Sequence, residues 1–124
     1  GEQCRTRSGQ ARLESARPFD TELQAQRFAG MQEFLPELLE LFRKNAPACL
    51  EKIRGAVAGQ DMREASKGAH TLKGMASVVC ATAVEKASAQ LEEAAREARP
   101  GAARELLTVL EARVGAALAS LDNP

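Results

Sequence analysis

The residues best suited to chemistry lie in the stretch KGAHTLKGMAS, at positions 67–77. It holds the only histidine of the chain, His70, with Lys67 and Lys73 three residues before and after it. A neutral imidazole nitrogen is a nucleophile at physiological pH, and two nearby cations favour an anion bound to it. The combination suits an imidazole that accepts a phosphoryl group.

The position of His70 on its helix supports this interpretation. Each helical residue advances by about 100°, which places His70 roughly 130° from the centre of the apolar stripe and outside the core. Gly74 lies almost on the same face and leaves the approach to the ring open, although an exposed helical glycine costs about 1 kcal/mol relative to alanine. Ser77 lies at the edge of this face. The alternative is an idle histidine on a solvated helix.

Periodic apolar residues predict the helices that must position this stretch. Asp20 is suited to cap a short helix that ends at Gly30. The next helix, about 32–58, carries one continuous apolar stripe. Because the stripe keeps its phase past Pro47, that proline predicts a kink and not a break.

The helix that holds His70 is expected to begin after Asp61, because Asp61 and Glu64 have the spacing of a capping box. Gly68 falls on a different side of this helix from His70, nearer the packed face. It therefore predicts a close approach between two helices.

Two further helices follow. Thr82 and Glu85 repeat the capping-box pattern and predict the start of a fourth helix, which is expected to bury Ala98. The sequence RPG at 99–101 ends it, and the last helix spans about 102–121.

These elements predict an all-α fold. Helices of this length with short connections favour an antiparallel four-helix bundle in up-down-up-down order, with the short N-terminal helix as an extra element. We expect a linker or frayed extension at 1–17, the domain at 18–121 and a tail at 122–124.

Composition excludes several classes of function. The formal net charge is zero and the only aromatic residues are four Phe, which argues against nucleic-acid binding. The three widely spaced cysteines, Cys4, Cys49 and Cys80, form no disulfide framework and, with one histidine, no zinc site, so buried reduced thiols are expected. Neither a membrane span nor a signal peptide is visible, so a cytoplasmic location is expected. The sequence begins with Gly1 and not Met, which predicts a fragment of a longer protein.

The chain resembles histidine phosphotransfer (HPt) domains. The motif AHTLKG looks like the family signature H-x-x-K-G on the second long helix of a four-helix bundle. The resemblance covers roughly 18–121 and extends to three other segments: PFDTELQAQRFAG, EFLPELLELFRKNAP and AVEKASAQLEEAAR.

The resemblance implies roles for individual residues. His70 would be phosphorylated through Nε2, Lys73 would offset the phosphoryl charge, and Gly74 would leave room for the partner's active site. Lys67 is a weaker candidate for the same electrostatic help. Apart from the resemblance, the place of Ser77 at the edge of the His70 face makes it a candidate for the docking surface.

Two positions carry separate expectations. Gln90 lies level with His70 if their helices are antiparallel, so it is a weak candidate for the border of the site. Cys80 stands where the family usually has glycine. Because cysteine is small, we expect the turn to survive with a slightly different exit.

The function implied is that of a phosphocarrier in a multistep phosphorelay of a two-component system. His70 would take a phosphoryl group from a receiver-domain aspartyl phosphate and pass it to another receiver. The chain would have no kinase site and no cofactor or metal of its own, since phosphoryl transfer usually uses Mg²⁺, here expected on the receiver. The domain would be a module of a hybrid sensor histidine kinase, cytoplasmic even if tethered to a membrane-bound sensor.

Two alternatives remain at this stage. One is the phosphoacceptor domain of a chemotaxis-type kinase, in which a histidine kinase catalytic domain of the same chain phosphorylates His70. The other is a helical adaptor bundle whose histidine is not phosphorylated.

Overall fold

The computed structural model describes residues 17–122, and this part of the chain forms five α-helices and no strand. They are α1 (Thr21–Arg27), α2 (Phe34–Ala58), α3 (Met62–Val78), α4 (Thr82–Arg96) and α5 (Pro100–Asp122). The all-α prediction is confirmed. The predicted linker lies outside the described residues except for residue 17, and of the predicted tail only residue 122 is described, as the end of α5.

The four long helices enclose one core. Each packs against the next along the chain, and α2 also packs against α5, so that the helices form a closed ring. Alanine is frequent in this core, and its largest fully buried apolar side chains are Ile53, Leu72, Val79, Val84, Leu91, Leu110 and Val114. No helix within residues 17–122 is long and apolar enough to cross a bilayer.

Aspartates begin two of the helices, as predicted. Asp20 and Asp61 each accept the backbone N–H of the residue three positions later, at 3.0 and 3.2 Å. The capping box predicted for α4 is wrong. Thr82 is already the first residue of α4, and the N-cap is Ala81, which has no capping side chain. The reason is that the turn after α3 continues through Ala81.

The three connections between the long helices share one backbone pattern. In each, a residue other than glycine is left-handed, with φ of 57° at Gln60, 59° at Cys80 and 54° at Ala98. The next N–H bonds to the carbonyl five residues earlier at 2.8, 2.8 and 3.0 Å, which is the Schellman ending of a helix. The turn at Cys80 therefore survives, as expected.

Prolines mark α2 and α5 differently. α2 continues without a break across Pro47, as predicted. α5 begins at Pro100 and not at about residue 102, because proline suits the first position of a helix. α4 ends at Arg96, so the prediction that Ala98 is buried was wrong, and Ala98 is exposed in the turn.

The short helix α1 closes the end of the bundle where α3 terminates. The buried side chain of Gln24 donates from Nε2 to the carbonyl of Val79 at 2.9 Å. The guanidinium of Arg27 donates to the carbonyl of Ser77. The bond from Gln24 gives a partner to a carbonyl at the end of α3, where the helix itself supplies none, and the bond from Arg27 adds to the backbone bond that Ser77 accepts from Cys80.

Gly68 and the cysteines lie where their sequence context predicts. A Cβ on Gly68 would lie 2.7 Å from Cγ1 of Ile53, which confirms a close approach of α2 and α3. Cys49 and Cys80 are buried free thiols, and burial raises the pKa of both. Cys4 lies outside the described residues.

Candidate functional site

The imidazole of His70 projects from α3 with 67% of its side chain exposed. Its Nδ1 lies 2.8 Å from Oε2 of Glu92 on α4. An ionised carboxylate can only accept, so Nδ1 carries the proton and donates the hydrogen bond to Glu92. A neutral imidazole has one N–H, and Nε2 therefore holds the free lone pair.

Glu92 is the buried centre of the site. Only 8% of its side chain is exposed, yet its Oε1 accepts from Nζ of Lys73 at 2.8 Å, and its Oε2 also lies 3.2 Å from Nη2 of Arg96. Burial by itself raises the pKa of Glu92, but the hydrogen bonds from Lys73 and His70 outweigh it, and the pKa is lowered overall. Glu92 is therefore ionised at neutral pH.

Two facing helices supply these four residues. His70 and Lys73 are three apart on α3, and Glu92 and Arg96 are four apart on α4, so each pair shares one face of its helix. Small buried side chains let the two helices approach closely enough for this contact; they include Ala65, Ala69, Ala76, Ala87, Ser88 and Ala95.

The face of α3 beside His70 is open to solvent. Among residues 17–122, and leaving aside its chain neighbours and the backbone of its own helix, a Cβ added to Gly74 would meet no atom within 4 Å. Ser77 lies two turns beyond His70, about 10.5 Å along the helix. It is half-buried, and its neighbour Val78 is 47% exposed.

Two of the sequence candidates are not brought to this cluster. Lys67 pairs with Glu64 at 3.5 Å and lines the groove between α2 and α3. Gln90, which was expected level with His70, is exposed and lines a groove between α4 and α5 with Val109. The residue of α4 that reaches His70 is Glu92.

Sequence reasoning missed Glu92 and Arg96. The available signal was the position of Glu92 in the buried face of α4, four residues after Ser88 and three before Ala95. A carboxylate in such a face needs cations to offset its desolvation. His70 and Lys73 of α3 can supply that charge.

The nucleophilic ring and the charged side chains of the site all belong to this chain. Within residues 17–122, no three His, Cys, Asp or Glu side chains lie close enough together to hold a metal ion.

The family model of the Hpt domain matches residues 37–121, more than half of the chain. The chain therefore belongs to the Hpt domain family. Hpt domains are phosphocarriers and not kinases, and they exchange phosphoryl groups with receiver domains in two-component signalling. No curated protein and no solved structure matched the chain.

Proposed function

We propose that this chain is a phosphocarrier of a multistep phosphorelay, with His70 as the residue that carries the phosphoryl group. The observation that carries the proposal is the hydrogen bond from Nδ1 of His70 to Glu92 at 2.8 Å. It occupies one ring nitrogen and leaves the other, Nε2, as an exposed nucleophile. Membership of the Hpt family supports the same role.

The proposed step is a displacement at phosphorus. The Nε2 lone pair of His70 attacks the phosphorus of an aspartyl phosphate on a receiver domain, and the P–O bond to the aspartate breaks. The aspartate leaves as a carboxylate, an N–P bond forms, and the Nδ1 proton stays between the ring and Glu92. The ring becomes a phosphoimidazolium whose positive charge faces the Glu92 carboxylate, and the reverse of this step delivers the group to a second receiver.

Charge around the ring supports transfer in both directions. Lys73 and Arg96 are held beside His70 by Glu92, where either cation can turn toward a phosphoryl group on Nε2. We assign Lys73 the main stabilising role and Lys67 a smaller one, because Lys67 is paired with Glu64 away from the cluster. Mg²⁺ is assigned to the receiver, since phosphoryl transfer usually needs a divalent ion.

The receiver would dock along the exposed face of α3. This face runs from His70 past the bare Gly74 to Ser77 and Val78. The contact would be small and transient, as suits a carrier that must release each partner. The long helices are joined by three-residue connections and pack in a ring, which supports an up-down-up-down order. That order would keep the exposed face of α3 free.

The family supports a proposal about the larger setting. Hpt domains act in two-component signalling, and we assign this one to a hybrid sensor histidine kinase, on the cytoplasmic side.

The experiment is incubation of the chain with a panel of receiver domains that carry labelled aspartyl phosphate. Wild type should gain acid-labile label, His70→Gln should gain none, and the matched variant Thr71→Gln, on the next exposed position, should label like wild type. Absence of label with every receiver would favour the adaptor. Label acquired only from ATP and a kinase catalytic domain would favour the chemotaxis-type kinase.

A further inference from the structure

An exposed line of residues follows α2 on the side of the bundle away from Glu92. Phe34, Leu41, Ala48 and Gly55 recur every seven residues, which is two turns, so they share one edge of the helix. All four are exposed, and the two large ones, Phe34 and Leu41, are 48% and 52% exposed. Large apolar side chains in such a row are typical of an interaction surface.

The size of the side chain falls steadily along this line. It begins with Phe and Leu in the first half of α2 and ends with Ala and Gly in the second half. Beside the second half lies a groove of about 960 Å³ between α2 and α3. Its lining includes the small residues Ala48, Gly55, Gly59 and Gly68, together with charged side chains such as Glu64 and Lys67. One half of α2 therefore projects, and the other half is recessed.

The charged residues of α2, like the sizes of its exposed side chains, differ between the two parts of the helix. The first part, residues 33–41, has three acidic residues and no basic one: Glu33, Glu37 and Glu40. The second part, 42–58, has four basic residues and one acidic residue: Arg43, Lys44, Lys52, Arg54 and Glu51. The helix dipole favours this order only in the first and last turns, so it leaves the charges in the middle of the helix unexplained.

We propose that this face is a docking surface for a second copy of the chain, with the two α2 helices antiparallel. A two-fold axis between Lys44 and Asn45 would set Leu41 against Ala48 of the second copy. It would also set Phe34 against Gly55 of the second copy, at the mouth of the groove. In this register the large side chains of one copy face the small ones of the other, and the acidic part of one α2 faces the basic part of the other.

One ion pair fixes the register. The same axis sets Glu37 level with Lys52 of the second copy, and both side chains are exposed. Among residues 17–122 neither side chain has an ion-pair partner within its own chain. This ion pair occurs twice across the two-fold interface, so each change at the pair counts twice.

The phosphorylation site stays free in such a dimer. His70 is directed toward Glu92 and α4, whereas the groove is lined from α3 by Lys67, Gly68 and Thr71. The dimer would cover Lys67, which has only the smaller stabilising role in the proposed function, so the dimer and the phosphorylation of His70 can fail separately.

Sedimentation velocity between about 10 µM and about 1 mM tests the dimer, because only two large side chains per copy are buried and the affinity should be modest. Wild type should shift from monomer toward dimer as concentration rises. Leu41→Lys should raise the dissociation constant at least about tenfold, since it places a charge in the apolar contact. The matched variant Val109→Lys, on an exposed valine of α5, should behave as wild type. A wild type that stays monomeric throughout, or equal effects of both variants, would overturn the proposal.

The register is tested by charge reversal. Glu37→Lys and Lys52→Glu should each weaken the dimer several-fold, and the double variant should recover most of the loss. Thermal melting of each variant checks that the fold is intact. Failure of the double variant to recover, with its melting temperature unchanged, would contradict the antiparallel register.

Discussion

Glu92 decides the chemistry of the site at the scale of single residues. Its carboxylate is buried, ionised and shared by His70, Lys73 and Arg96. An ionised acceptor at Nδ1 fixes the tautomer of the neutral ring and directs Nε2 outward. Lys73 and Arg96, which only supply charge to the same cluster, cannot fix the tautomer of the ring.

Removal of this acceptor gives the first prediction. Glu92→Ala should let the ring return to a mixture of tautomers and slow phosphorylation of His70 by on the order of tenfold, since the lost hydrogen bond to a charged group contributes about 1.5 kcal/mol. Nitrogen NMR of the imidazole reads the tautomer, and transfer from a phosphorylated receiver reads the rate. The neighbouring exposed Glu93→Ala is the control. A wild-type tautomer in Glu92→Ala would contradict the role.

Ser88 supplies a prediction about stability. Its hydroxyl is fully buried and has no hydrogen-bond partner among residues 17–122. Because an unsatisfied buried polar group destabilises a fold, Ser88→Ala should raise the free energy of unfolding by about 1 kcal/mol. Chemical denaturation measures it, with Thr108→Ala on the exposed face of α5 as a control that should change little. A loss of stability in Ser88→Ala would show that the hydroxyl makes a useful bond.

The sequence predicted His70, Lys73 and Gly74 because their spacing places them on one helix face. It missed Glu92, and the reason is geometric. In an antiparallel pair, the residue of α4 level with His70 lies as far after the middle of the turn as His70 lies before it. If Cys80 is the middle, that residue is Gln90, and if Ala81 is the middle, it is Glu92. An error of one residue in the turn therefore moves the predicted partner by two residues, about 200° around the helix.

The turns matter at the scale of whole elements. The sequence predicts the apolar stripes of the helices, the caps at Asp20 and Asp61 and the continuity of α2 across Pro47, because side-chain periodicity and local hydrogen bonds determine these features. The sequence does not predict the left-handed backbone at Gln60, Cys80 and Ala98, since none of these residues is a glycine. Tertiary packing of the helices imposes these conformations against local preference.

Ala98 offers a test of that cost. It is exposed and left-handed with φ of 54°, so glycine should fit better, and Ala98→Gly should raise the free energy of unfolding by about 1 kcal/mol. The matched change Ala112→Gly, exposed inside α5, should lower it by about 1 kcal/mol. Chemical denaturation of both variants gives the comparison. Destabilisation by both changes would mean that the turn carries no strain.

At the scale of the whole molecule, Glu92 makes stability depend on pH. The pKa of Glu92 is lower in the folded chain than its ordinary value of 4.5. Below 4.5 the unfolded chain takes up this proton first, so the stabilisation is complete above that pH and is lost as pH falls through the lowered pKa. The pH dependence thus has the sign expected of a paired carboxylate.

The matching experiment compares wild type with Glu92→Gln. Wild type should be more stable by about 1–2 kcal/mol at pH 6, and the difference should shrink once pH falls below 4.5. Urea denaturation at several pH values measures it, with Glu93→Gln expected to follow wild type throughout. A difference that stays constant down to pH 3 would contradict an ionised, paired Glu92.

The central claim is that Nε2 of His70 carries the phosphoryl group while Nδ1 keeps its proton for Glu92. The most direct measurement is phosphorus and nitrogen NMR of the isotope-labelled chain after transfer from a phosphorylated receiver. We expect a phosphorus–nitrogen bond at Nε2 of His70 and a proton retained on Nδ1. Phosphate bonded to Nδ1, or label that persists in His70→Gln, would contradict it.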